Sequence, residues 1–88
     1  MRVYETIKRS KALKLLEEID NKRGKAYALI SVGNIYRIQN KYDEALKYYM
    51  ESLEINNELE LTNEIAYSLY NIGVVYEEQE NDEKALEY

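Results

Sequence analysis

Apolar side chains recur every three or four positions along most of this chain, and no stretch alternates with the period of two that marks a strand. From about Arg2 to Asp20 the apolar positions are Val3, Ile7, Ala12, Leu13, Leu15, Leu16 and Ile19. They predict a helix that ends in the polar run Asn21-Lys22-Arg23-Gly24, with Gly24 suited to a helix C-cap. A second helix is predicted from about Lys25 to Gln39, with Ala26, Leu29, Val32, Gly33 and Tyr36 on one face. After a break at Asn40-Lys41, a third runs from about Tyr42 to Glu60. Its first turn carries Asp43 and Glu44, which favour the positive end of the helix dipole, and its inner face carries Ala45, Leu46, Tyr49, Ser52, Leu53 and Ile55. Thr62 or Asn63 can cap a fourth helix reaching about Glu80, with Ala66, Leu69, Ile72, Gly73 and Tyr76 inward. Asp82 to Tyr88 begins a fifth. The expected fold class is all-α, with about five helices and the last incomplete.

The second and fourth helices are copies. At a shift of 40 residues, Ala26, Tyr27, Leu29, Gly33, Tyr36, Gln39, Ala45 and Leu46 fall on Ala66, Tyr67, Leu69, Gly73, Tyr76, Gln79, Ala85 and Leu86. A fixed period of this size signals stacked supersecondary units instead of one globular core. Gly33 and Gly73 sit inside predicted helices, where glycine costs about 1 kcal/mol relative to alanine. A cost that is repeated needs a repeated cause, and close helix approach supplies one: Tyr49 is expected to lie against Gly33, with the small Ala45 and Ala85 serving similarly at facing positions.

Leu29-x-x-Val32-Gly33-x-x-Tyr36 followed by Ala45-x-x-x-Tyr49-x-x-Ser52 resembles the tetratricopeptide repeat, and Leu69-x-x-Ile72-Gly73-x-x-Tyr76 with Ala85 resembles the next copy. The same shift sets Ala12 on Ser52, Leu13 on Leu53 and Leu15 on Ile55, so the first helix resembles the second helix of a preceding repeat. The common repeat of that family is 34 residues long and often carries a proline near its end. Here the period is 40 and Asn56-Asn57 stands in that place. Six added residues make about one and two-thirds helical turns, which resembles the family's extended-repeat branch. The resemblance implies a solenoid of antiparallel helical hairpins wound as a right-handed superhelix. It divides the chain into residues 1–24, an incomplete leading repeat; 25–62, a full repeat; and 63–88, a second repeat cut short. It implies a scaffold for protein or peptide partners, with groove-facing positions at Tyr27, Ile30, Ser31, Asn34 and Arg37, and at Tyr67, Tyr70, Asn71, Val74 and Glu78. Tyr36, Tyr49 and Tyr76 occupy the pattern's core positions.

Composition narrows the chemistry. The 88 residues contain no cysteine and no histidine, which removes disulfides, thiolate nucleophiles, imidazole bases and the usual zinc sites. The remaining hydroxyls and carboxylates show no convergent spacing, so no enzyme, cofactor or small-molecule substrate is expected. With no long apolar run and no secretory leader pattern, the expected setting is the cytoplasm, away from membranes. Charge is unevenly placed: residues 1–47 hold eleven Lys/Arg against six Asp/Glu, and residues 48–88 hold one against eleven, giving +5 and −10. Such asymmetry bears on association. Self-association is expected between a basic, apolar end (Arg2, Val3, Ile7, Lys8, Arg9, Lys11) and an acidic one (Asp82, Glu83, Ala85, Leu86, Tyr88), as a head-to-tail stack or an exchange of helices. The alternative is an RNA-binding helical repeat using the basic first helix, opposed by the net charge of −5.

Overall fold

A computed structural model describes residues 3–87, with side chains from 11 to 83. Three helices account for the described chain: α1, Val3–Ile38; α2, Tyr42–Glu58; and α3, Thr62–Glu87. They lie in an elongated body of 74 × 20 × 12 Å. The helical class agrees with the sequence, but the expected count of five does not. The first two predicted helices are one continuous α1, and the last two are one continuous α3.

Both chain reversals are built alike. After α1, Lys41 N–H bonds Tyr36 O at 2.9 Å and Asn40 N–H bonds Arg37 O at 2.9 Å, with Asn40 at φ 61°. After α2, Leu61 N–H bonds Asn56 O at 3.0 Å and Glu60 N–H bonds Asn57 O at 3.1 Å, with Glu60 at φ 54°. These are six-to-one helix-end turns closed through a left-handed residue. Asn accepts that conformation readily, whereas glutamate pays about 1–2 kcal/mol for it. Packing of α2 against both neighbours supports the strained turn. At the repeat-equivalent positions, Asp20 and Glu80, no described helix packs back, and the chain stays helical. Gly24 therefore does not cap a helix. It lies exposed inside α1, because its propensity cost of about 1 kcal/mol cannot interrupt a run of Lys22, Arg23, Lys25 and Ala26 without a partner to reward the turn.

The core sits where α2 lies between α1 and α3. Ile30, Ala45, Tyr49 and Val75 are buried there, flanked by Tyr36, Tyr42, Leu46 and Ile72. Tyr49 packs over Gly33 as the pattern required: a β-carbon built on Gly33 would stand 2.7 Å from Tyr49 Cε1. Its hydroxyl donates to Asn34 Oδ1. Beside it the rings of Tyr36 and Tyr48 stack with centroids 5.5 Å apart. The interface of α2 with α3 is more polar, with Ser52, Asn56, Ser68 and Asn71 all buried and Asn56 Nδ2 donating to Ser68 Oγ at 3.3 Å.

The two copies of the repeat are not equally covered. Leu29 and Tyr36 are half-buried and Gly33 is buried, because α2 lies on them. Their equivalents Leu69 and Tyr76 are each 53% exposed, and Gly73 is exposed with no described atom within 4 Å of where its β-carbon would be. Tyr76 and Leu69, expected inside, are thus at the surface: the helix that would cover them, an α2 for α3, is absent among the described residues. The buried face of α3 is Ser68, Asn71 and Val75, with Ile72 half-buried beside them, at helical spacing and turned toward α2. In the first half of α1, Leu13, Leu15 and Leu16 are likewise more than half exposed.

Candidate peptide groove

The first helices of the two repeats, α1 and α3, are bridged by two ion pairs. Arg23 Nη2 lies 3.3 Å from Glu64 Oε1, and Arg37 Nη1 lies 3.0 Å from Glu78 Oε1. In each pair the partners are 41 residues apart, one off the repeat shift. That offset places opposite charges across the gap instead of side by side on equivalent positions. Both pairs are partly exposed, where such bridges contribute about 0.2–1 kcal/mol each. They orient the helices more than they stabilise them.

Between the two pairs the helices enclose a cavity of about 190 Å³ near Arg23 and Glu64, at the start of α3. Ala26 and Ile30 line it from α1, Leu61 from the α2–α3 turn, Asn63 from the first turn of α3, and Asn56 from α2. The mouth is set by Tyr27 and Tyr67, the same residue of the two repeats, each about half exposed. An apolar lining of Ala26, Ile30 and Leu61 with amphipathic rings at the rim and an ion pair at one end can seat a large apolar side chain while hydrogen-bonding a main chain beside it. At the other end, a more open depression of about 380 Å³ is lined by Arg37, Ile38, Asn40, Tyr42, Glu78, Asn81 and Asp82. Tyr42 donates to Asp82 Oδ2 at 2.5 Å. That bond, then desolvation and the negative charges of Asp82 and Glu78, push the phenol up to about 12.

Of the ten groove positions taken from the sequence, Tyr27, Ile30 and Tyr67 converge on the first cavity, and Arg37 and Glu78 on the second. Ile30 is only 5% exposed and serves mainly as core. Asn34 is half-buried and occupied by the Tyr49 hydroxyl. Asn71 is buried against α2, its Nδ2 without a partner among the described residues. Ser31 is exposed and bonds back to Tyr27 O at 3.1 Å, Val74 is half-buried and Tyr70 is exposed; none of these lines either cavity. Arg23, Asn63 and Glu64 were not singled out by the sequence, although the 41-residue spacing of opposite charges was a readable signal. Among the self-association positions, Lys11 is exposed on α1, and Asp82 and Glu83 are exposed on α3. Arg2 and Tyr88 lie outside the described residues, as do the side chains of Val3, Ile7, Lys8, Arg9, Ala85 and Leu86. Among the described residues no helix is long and apolar enough to cross a membrane.

An antiparallel helical hairpin followed by a third helix that copies the first at a shift of 40 residues, with a concavity between the two copies, defines a helical-repeat protein. A family model for the tetratricopeptide repeat matches residues 9–58 and again 24–88. The chain belongs to the tetratricopeptide repeat family, whose members typically mediate protein–protein interaction as non-catalytic scaffolds. Comparison with curated proteins and with solved structures gives no significant match.

Proposed function

We propose that this chain is a non-catalytic scaffold that binds an extended peptide segment of a partner protein along the gap between α1 and α3, and that copies of it associate through the basic half of α1 and the acidic end of α3. The observation that carries the peptide reading is the cavity rimmed by Tyr27 and Tyr67. At about 190 Å³ it lies below the usual range of small-molecule sites, about 300–1,000 Å³, and suits one large side chain of a peptide whose neighbours run over the tyrosine rings. The peptide's main chain finds donors and acceptors in Arg23, Asn63 and Glu64, which already stand at the rim.

Selection from a random peptide display library tests this. Enriched peptides should share a large apolar residue, shift the NMR signals of Tyr27 and Tyr67, and lose at least about tenfold in affinity on Y27A/Y67A, the loss expected when interface aromatics are truncated. Peptides that bind the double variant as tightly as the parent chain would place the site elsewhere.

A further inference from the structure

The two cavities between α1 and α3 differ in charge. In the one rimmed by Tyr27 and Tyr67, Arg23 and Glu64 neutralise each other at 3.3 Å. In the depression of about 380 Å³, Arg37 is already committed to Glu78 at 3.0 Å, and among the described residues no cation stands within ion-pair distance of Asp82. The lining is left with one negative charge in excess, and residues 77–83 as a whole hold five carboxylates and no base. The Tyr42 hydroxyl cannot make good the deficit. It stands 2.5 Å from Asp82 Oδ2 and 3.1 Å from Asn40 Oδ1, and it has a single proton to offer the two acceptors. Its bond to Asp82 first, and then desolvation and the charges of Asp82 and Glu78, raise the phenol to about 12.

A ligand that brings positive charge and several N–H donors matches this end of the gap. Among the described residues no three carboxylates gather closely enough to hold a metal ion. An organic cation on a flexible stem fits instead, because Ile38, which is 75% exposed and lines the same depression, offers apolar surface for the methylenes.

We infer that the peptide bound between α1 and α3 carries a lysine or arginine, seated against Asp82 while the large apolar residue fills the Tyr27–Tyr67 cavity. This rests on the peptide reading above and names the chemistry of the partner. The spacing follows from the helices. The two linings are centred about 11 residues apart on α1 and about 16 apart on α3, which is about 16 and about 24 Å at a rise of 1.5 Å per residue. An extended chain advances about 3.3 Å per residue, so the basic residue falls about five to seven positions from the apolar one. An acidic side chain at that position would face Asp82 with like charge and is selected against. The same sign acts at long range, since residues 48–88, with eleven Asp/Glu against one Lys, draw basic segments toward the gap.

The library selection described above, carried out with the full 88-residue chain at about 0.05 M salt, tests this when the enriched peptides are read for charge. They should carry Lys or Arg about five to seven residues from the shared apolar position, always on the same side, and shift the ring signals of Tyr42 together with those of Tyr27 and Tyr67. Asp82 is exposed, and Asp82→Asn keeps an oxygen for the Tyr42 hydroxyl. Affinity should fall about three- to fivefold on Asp82→Asn, and at least as much for the wild-type chain between about 0.05 and 0.5 M salt. Selection on Asp82→Lys should move the preference at that position to Asp or Glu. Peptides that depend on Tyr27 and Tyr67 but show no basic preference, that bind Asp82→Asn as tightly as wild type, or that stay basic when selected on Asp82→Lys would overturn this inference and leave the peptide reading in place. A selection that yields no peptide dependent on Tyr27 and Tyr67 would overturn both.

Discussion

The two repeat glycines should respond to the same substitution with opposite signs. At Gly33 a methyl group would stand 2.7 Å from Tyr49 Cε1, 2.8 Å from Cδ1 and 3.2 Å from Cζ. Ordinary carbon contacts are about 3.5–4.0 Å, so the overlap is large. The ring cannot swing aside, since Tyr49 is fully buried against Val75 and its hydroxyl is fixed on Asn34. Overpacking of a tight core costs about 1–3 kcal/mol, and the helix propensity gained on replacing glycine by alanine returns about 1 kcal/mol. Gly33→Ala should therefore destabilise the chain by up to about 2 kcal/mol. Gly73→Ala meets nothing described within 4 Å and should keep the propensity gain of about 1 kcal/mol. In a domain of this size each kcal/mol moves Tm by about 4–8 °C, so the two variants should melt well apart on either side of wild type. Far-UV circular dichroism during urea and thermal unfolding, at a dilution that keeps chains apart, measures both. Gly33→Ala stabilised as much as Gly73→Ala would refute the close-approach argument. Gly73→Ala losing as much as Gly33→Ala would refute the claim that its face is open.

The polar interface and the raised phenol give two further expectations. Ser52 Oγ is buried with no partner among the described residues, so Ser52→Ala should be neutral or stabilising by up to about 1 kcal/mol, whereas Asn56→Ala, which strips Ser68 of its donor, should cost about 1–3 kcal/mol in urea denaturation. Tyr42 should ionise near pH 12, about two units above an ordinary tyrosine, and fall back toward 10 in Asp82→Asn, as followed by NMR titration of its ring. Because the folded state holds that proton more tightly than the unfolded chain, its contribution is complete below pH about 10 and is lost as pH rises through about 12.

The hairpin of α1 and α2 was legible because one residue pair encodes it: a glycine at the crossing and a tyrosine sixteen residues on, with Ala45 small enough to let the helices meet. The turn at Asn40 was legible for the same local reason, an asparagine where a left-handed residue is needed. The continuity of α1 was not. Gly24 looked like a helix end, but its repeat equivalent, Glu64, lies inside α3, and the α2–α3 turn maps onto Ile19 to Asn21. A helix end in this chain is decided by whether something packs behind it, which local composition does not record. The groove was half legible. Tyr27 and Tyr67 follow from the repeat, but the buried face of α3, with Ser68, Asn71 and Val75, corresponds to Ala28, Ser31 and Ile35 of α1, which are exposed. A first helix in a stack has two packing faces, and one copy cannot reveal which of them a neighbour will use.

The two interfaces of α2 differ in kind, and that difference bears on how the gap between α1 and α3 can work. Against α1, α2 contributes Tyr49 on bare backbone and the stack of Tyr48 on Tyr36, large surfaces with fixed geometry. Against α3 it presents Ser52 and Asn56 to Ser68 and Asn71, small polar groups whose burial yields little hydrophobic free energy, with the Asn56–Ser68 bond among them and a smaller apolar contact through Val75 and Ile72. The hairpin is therefore the stiffer unit, and α3 is the element with less to lose from a shift. The Arg23–Glu64 and Arg37–Glu78 pairs span the gap at a value of about 1 kcal/mol or less each, so they set a resting width without locking it. On the proposed peptide reading, a segment inserting between Tyr27 and Tyr67 would move α3 outward on its more polar interface while Tyr49 stays over Gly33, and the cost of widening would fall on the contacts of Val75 and Ile72.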